Sequence, residues 1–144
     1  MSTTFTLFNS FKAALSGKID LSGHTFKCAL TTSAQSLSAA GQAVYADLTA
    51  EVANGNGYTT GGEALTGVTW AQTSGTAKFD SNDPAFTASG SGFTCRNYVI
   101  YDDTATNKDL MGFGVLDNTP ADVVLISGDT LTITVNANGW LSLS

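Results

Sequence analysis

The chain has 144 residues, of which 42% are hydrophobic and only 12% charged, with a net charge of −6 and a pI near 4.3. That length suits one domain with a proper core, and the hydrophobic content excludes a disordered polyampholyte. Its six cations, Lys12, Lys18, Lys27, Lys78, Arg96 and Lys108, stand singly along the chain, which argues against nucleic-acid binding and against adhesion to anionic membranes.

In chain order, Phe5 to Ser16 puts Phe8, Phe11 and Leu15 on one face and predicts a short amphipathic helix that Gly17 stops. From Thr25 to Thr31, Phe26, Cys28 and Leu30 alternate with Lys27 and Ala29, the pattern of a half-buried strand. Thr32 to Gly41 is an aperiodic Ser/Ala/Gln loop. The spacing of Val44, Leu48 and Val52 predicts a second short helix, ended by Asn54-Gly55-Asn56-Gly57. That cluster, with Gly61-Gly62 after it, suits positive φ and tight turns.

The remaining chain reads as strands punctuated by turn signals about every 8 to 12 residues. They are Gly67 to Gln72, with Val68 and Trp70 on one face, then Ala77 to Asp80, Ala85 to Ala88 and Cys95 to Tyr101. Leu110 to Leu116 returns from the last of these through the polar connection Asp102 to Asp109. The plainest strand is Thr130 to Asn136, where Leu131, Ile133 and Val135 alternate with threonines, and Trp140 to Leu143 closes the chain. No linker, repeat or composition break divides residues 1–144. The expectation is a single, mainly β domain: an antiparallel β-sandwich with jelly-roll or Greek-key connections and one or two short helices at its ends or edges.

His24 is the sole histidine, so a Ser-His-Asp triad or a metal site would rest on it almost alone. It follows the turn formers Ser22-Gly23, and an exposed or capping role is expected. Asp80-Ser81-Asn82-Asp83 and Asp102-Asp103, with Asp109 opposite, are oxygen-rich but lack the ligand spacing of an EF-hand loop, and turn formation accounts for them. The stretch Gly55 to Gly62 lacks the Gly-Lys-Ser/Thr ending of a phosphate loop. Cys28 and Cys95 sit in strand-like runs without CxxC spacing and are expected as buried, reduced thiols. Tyr45, Tyr58, Trp70, Tyr98, Tyr101 and Trp140 alternate with aliphatic neighbours and are expected chiefly in the core. No catalytic residue, metal ligand or cofactor is therefore expected, and the chain is expected not to be an enzyme.

The longest apolar run, Val123 to Ile126, is far too short to span a membrane. The stretch Met1 to Phe5 lacks the basic and apolar regions of a signal peptide. The expectation is a protein made in a cytoplasm and either kept there or released by lysis.

A series of blocks carries a resemblance. Phe8-Asn9-Ser10-Phe11-Lys12 with Leu15, Thr25-Phe26-Lys27 and Leu30-Thr31-Thr32-Ser33-Ala34 open it. Tyr45-Ala46-Asp47-Leu48-Thr49, Asn54 to Tyr58, Gly61-Gly62 and Thr69-Trp70 follow. Gly75 to Asp80, Phe86-Thr87-Ala88, Tyr98 to Ala105 and Gly128 to Ile133 complete it. In this order the chain resembles small virion proteins of tailed bacteriophages. The resemblance implies a structural subunit without a catalytic motif, located in the virion after assembly in the host cytoplasm. The leading expectation is a capsid decoration (cement) subunit that binds the outer shell in many copies. Its partners would be the major capsid protein or other virion proteins, and it would form a dimer or trimer. The alternative is a tail-tip, fibre or baseplate component with host-surface glycan binding. Because termini and loop tips carry binding on a rigid scaffold, contacts are expected from three segments. These are the N-terminal stretch with Ser2, Thr3, Phe5, Leu7 and Phe8, the loop Thr32 to Gln42 with Gln35 and Leu37, and the loop Asp102 to Lys108 with Asp102, Asp103 and Lys108.

Overall fold

The computed structural model describes residues 4–119 and 121–144. In chain order the first half gives β1 (Thr6–Leu7), α1 (Asn9–Ala14), β2 (Phe26–Thr31), a 3-10 turn (Tyr45–Asp47), β3 (Glu63–Ala64), β4 (Thr69–Thr73) and β5 (Thr76–Asp80). The second half gives β6 (Ala85–Thr87), β7 (Phe93–Cys95), β8 (Asn97–Asp102), β9 (Leu110–Val115), β10 (Val123–Leu125), β11 (Thr130–Thr132) and β12 (Leu141–Leu143). The chain is mainly β, and its ladders are antiparallel.

The larger sheet runs β1-β9-β8-β2-β3. All six residues of β8 are buried, because this central strand is covered on both faces. Opposite lies a three-stranded sheet, β12-β5-β4. Aromatic rings join the two layers: Phe26 of β2 meets Phe79 of β5 edge-on at 4.8 Å between centroids, and Tyr98 of β8 meets Trp140 at 6.1 Å. Two short ladders, β7-β10 and β6-β11, complete the sandwich.

Both helical elements differ from the sequence expectation, and the expected strand Cys95 to Tyr101 is divided between β7, which ends at Cys95, and β8, which begins at Asn97. The N-terminal helix is shorter, because Thr6 and Leu7 pair with Phe113 and Gly112 of β9 and only Asn9 to Ala14 is helical. A sheet edge outweighs a modest helical periodicity there. The second helix is reduced to its 3-10 turn. Val44 bridges to Asp109, Glu51 bridges to Thr31, and Val52 N–H donates to the Leu30 carbonyl, so the end of this segment runs extended beside β2. The carboxylate of Asp47 accepts Ala43 and Val44 N–H at 2.8 and 3.0 Å and closes the single turn.

The turns follow their residues closely. Asn56 and Gly57 take φ of 55° and 96° between the paired residues Gly55 and Tyr58, a two-residue hairpin of the I′ kind. The alternation of Leu131 and Ile133 against Thr130, Thr132 and Thr134 survives as buried against exposed. The regular ladder stops at Thr132, and Ile133 and Val135 N–H donate instead to the Pro84 carbonyl and the Asp83 carboxylate.

Candidate functional site

Several ionisable side chains gather where β8 ends and its loop begins. Asp102, the last residue of β8, is fully buried. One of its oxygens accepts the N–H groups of Thr104 and Ala105 at 3.0 and 3.1 Å. The other lies 2.5 Å from His24 Nδ1. The next residue, Asp103, takes Lys108 Nζ at 2.5 Å and Lys27 Nζ at 3.4 Å. The Lys108 hydrogen bond, with Lys27 adding, holds the Asp103 carboxyl below its ordinary value.

A second group abuts this one. Glu51 accepts the hydroxyls of Tyr45 and Tyr58 and the Gly61 N–H, while Tyr101 donates to the Gly61 carbonyl at 2.7 Å. Lys108 Nζ lies 5.9 Å from both the Tyr45 and Tyr101 ring centroids, within cation–π range. Burial pushes all three tyrosines up, so they remain neutral donors. The arrangement is a brace. It ties the segment 44–61 to the large sheet, and its donors and acceptors are spent on one another.

The remaining reactive-looking residues are likewise engaged in framework. Cys28 and Cys95 are free, buried thiols pushed up by desolvation, Cys95 to about 12. Asp80 accepts Ser81 N–H and pairs with Lys78 at 2.8 Å, and Asp83 accepts Val135 N–H. Among the described residues no three His, Cys, Asp or Glu side chains gather to hold a metal ion.

Two surface features are not used up in this way. A cleft of about 320 Å³ is lined by Phe5, Tyr98 and Trp140 together with Thr134, Asn136 and Asn138. The other is the arm of β10 and its turn, where Val124 and Ile126 are 66% and 65% exposed.

No family model, curated protein or solved structure matches the chain.

The expected contact residues divide accordingly. Phe8 and Asp102 are fully buried, and Gln35 is buried with its side-chain oxygen on Thr49 and Ala50 N–H. The expectation that these three meet a partner is corrected: Phe8 packs in the core, and the other two side chains are spent on backbone N–H groups of their own chain. Phe5, Leu7 and Leu37 are half-buried against the core. Asp103 and Lys108 are half-buried and paired with each other. Ser2 and Thr3 lie outside the described residues. Val124 and Ile126, the most exposed large apolar side chains among the described residues, are legible in the sequence only as part of an uncharged apolar run.

Proposed function

We propose that this chain is a structural protein of a tailed-bacteriophage particle, a decoration subunit that sits on the outer capsid shell in many copies. The carrying observation is the contrast between its two kinds of side chain. Asp102, Glu51 and Asp103 are consumed in bracing the sandwich, whereas Val124 on β10 and Ile126 at the turn fixed by Asp129 stand in solvent. Apolar side chains held out on a firm scaffold suit docking, not chemistry. The resemblance of its sequence blocks to small virion proteins supplies the setting. In that setting the partner is the major capsid protein or another virion protein, and the subunit acts as a dimer or trimer. Weak contacts repeated over a lattice add up, because each copy binds beside tethered neighbours.

The cleft beside Trp140 supports a second reading, a tail-tip, fibre or baseplate component that binds a host-surface glycan. Aromatic rings flanked by Asn and Thr side chains suit a sugar. The first reading is preferred because Tyr98 and Trp140 are only 3% and 6% exposed and offer little ring face for stacking. Imaging of intact particles decides between the two. Density for this chain on the capsid exterior is expected, and density confined to the tail would replace the first reading with the second.

A further inference from the structure

We propose that the groove between β10 and β11 receives an extended, positively charged segment of a partner chain, which adds a strand to the outer edge of β10. This rests on the structural role proposed above and names the recognition chemistry.

β10 and β11 are consecutive and joined by a tight turn, so the simplest outcome would be a hairpin in which they pair with each other. They do not. Each pairs outward, β10 with β7 and β11 with β6, and among the described residues neither has a second strand neighbour. The turn is locked from within: Asp129 N–H donates to the Ile126 carbonyl, and the Asp129 carboxylate accepts Ile126 N–H, both at 3.0 Å. The two arms therefore diverge from a fixed corner. Between them lies a groove of about 440 Å³ lined by Val123, Val124, Asp129, Thr130 and Thr132.

Unpaired edges are normally blunted by lysine, proline or a bulge. Here the edge residues Val123 to Ile126 carry no charge, and Val124 and Ile126 point outward. Such an edge accepts a strand through its backbone groups and reads alternate side chains through its apolar ones. Charge selects the occupant. Asp129 lines the groove and has no cationic partner among the described residues, while Asp122 precedes β10 and meets Arg96 at 2.8 Å. A second copy would set Asp129 against an equally acidic edge in a chain of net charge −6. A foreign segment with alternating apolar residues and flanking Lys or Arg fits better.

Hydrogen-exchange mass spectrometry tests this on the free protein at low and high concentration and on purified particles. Slowed exchange in residues 121–132 on particles only is the expected result. The proposal is overturned if the chain is on the particles and these amides exchange as in the free protein. It is also overturned if their protection grows with free-protein concentration, which would identify a second copy as the occupant. Absence of the chain from particles overturns the structural role and this inference together. Charge is tested at the exposed Val124. The Val124→Lys variant should lose about tenfold in particle occupancy and Val124→Glu clearly less, with both folding normally. Equal losses would overturn the basic character of the occupant.

Discussion

His24 Nδ1 lies 2.5 Å from an oxygen of Asp102, a carboxylate with no solvent exposure whose other oxygen holds two backbone N–H groups. The pair ties two parts of the framework together. Its acid stitches the start of β2 to the loop after β8 and closes the turn at Thr104 and Ala105. Removing the acid orphans two donors and a histidine. Asp102→Ala should therefore cost about 2–4 kcal/mol in urea denaturation. His24→Ala, at a part-exposed site, should cost clearly less.

Acid should weaken the fold in a defined window. Asp103 and Asp47 titrate below the ordinary 3.8, Asp103 chiefly through Lys108 and Asp47 through Ala43 and Val44 N–H. A carboxylate depressed in the folded state stabilises it above the unfolded value, and that contribution fades as pH falls through the folded one. From these groups, stability should be level down to about pH 5 and fall below about pH 4. Lys108→Met should reduce that acid loss, as followed by circular dichroism at stepped pH.

Much of this architecture was legible in the residues. The Leu131/Ile133 alternation and the Asn56-Gly57 turn depend on local chemistry, and both appear where local chemistry puts them. What escaped depends on distant partners. Thr6 and Leu7 become a strand because β9 offers an edge more than a hundred residues away. Val44 to Val52 keeps only one 3-10 turn because Asp109 holds its start and Leu30 and Thr31 hold its end. The contact residues suffered most. Asp102 looks like a loop acid until its backbone donors are seen, and the exposure of Val124 and Ile126 follows from two ladders that part at a turn.

Trp140 is nearly buried, packs on Phe5 at 5.1 Å and Tyr98 at 6.1 Å, and donates its indole N–H to Ser81 at 2.9 Å. Trp140→Ala should cost about 3–5 kcal/mol, read from thermal or chemical unfolding. A negligible loss would contradict this packing.

Two glycines with positive φ separate conformational strain from collision. At Gly75, φ +85°, a Cβ would meet nothing, so Gly75→Ala should cost only about 1–2 kcal/mol. At Gly57, φ +96°, a Cβ would fall 2.2 Å from the Thr87 carbonyl oxygen. Gly57→Ala should cost about 2–5 kcal/mol, strain and overpacking together, in parallel denaturation curves.

The buried thiols should be silent until the fold opens. With Cys28 and Cys95 both pushed up by desolvation, a thiol-specific chromogenic reagent should find almost no reactive sulfur at neutral pH. In denaturant it should titrate both. Rapid native labelling would contradict the placement of these strands.

The proposed role itself is tested most directly by counting. Quantitative mass spectrometry of purified phage particles, scaled to the major capsid protein, should find this chain at a copy number on the order of hundreds, commensurate with the shell lattice. A handful of copies, or none, would contradict a subunit that decorates the capsid.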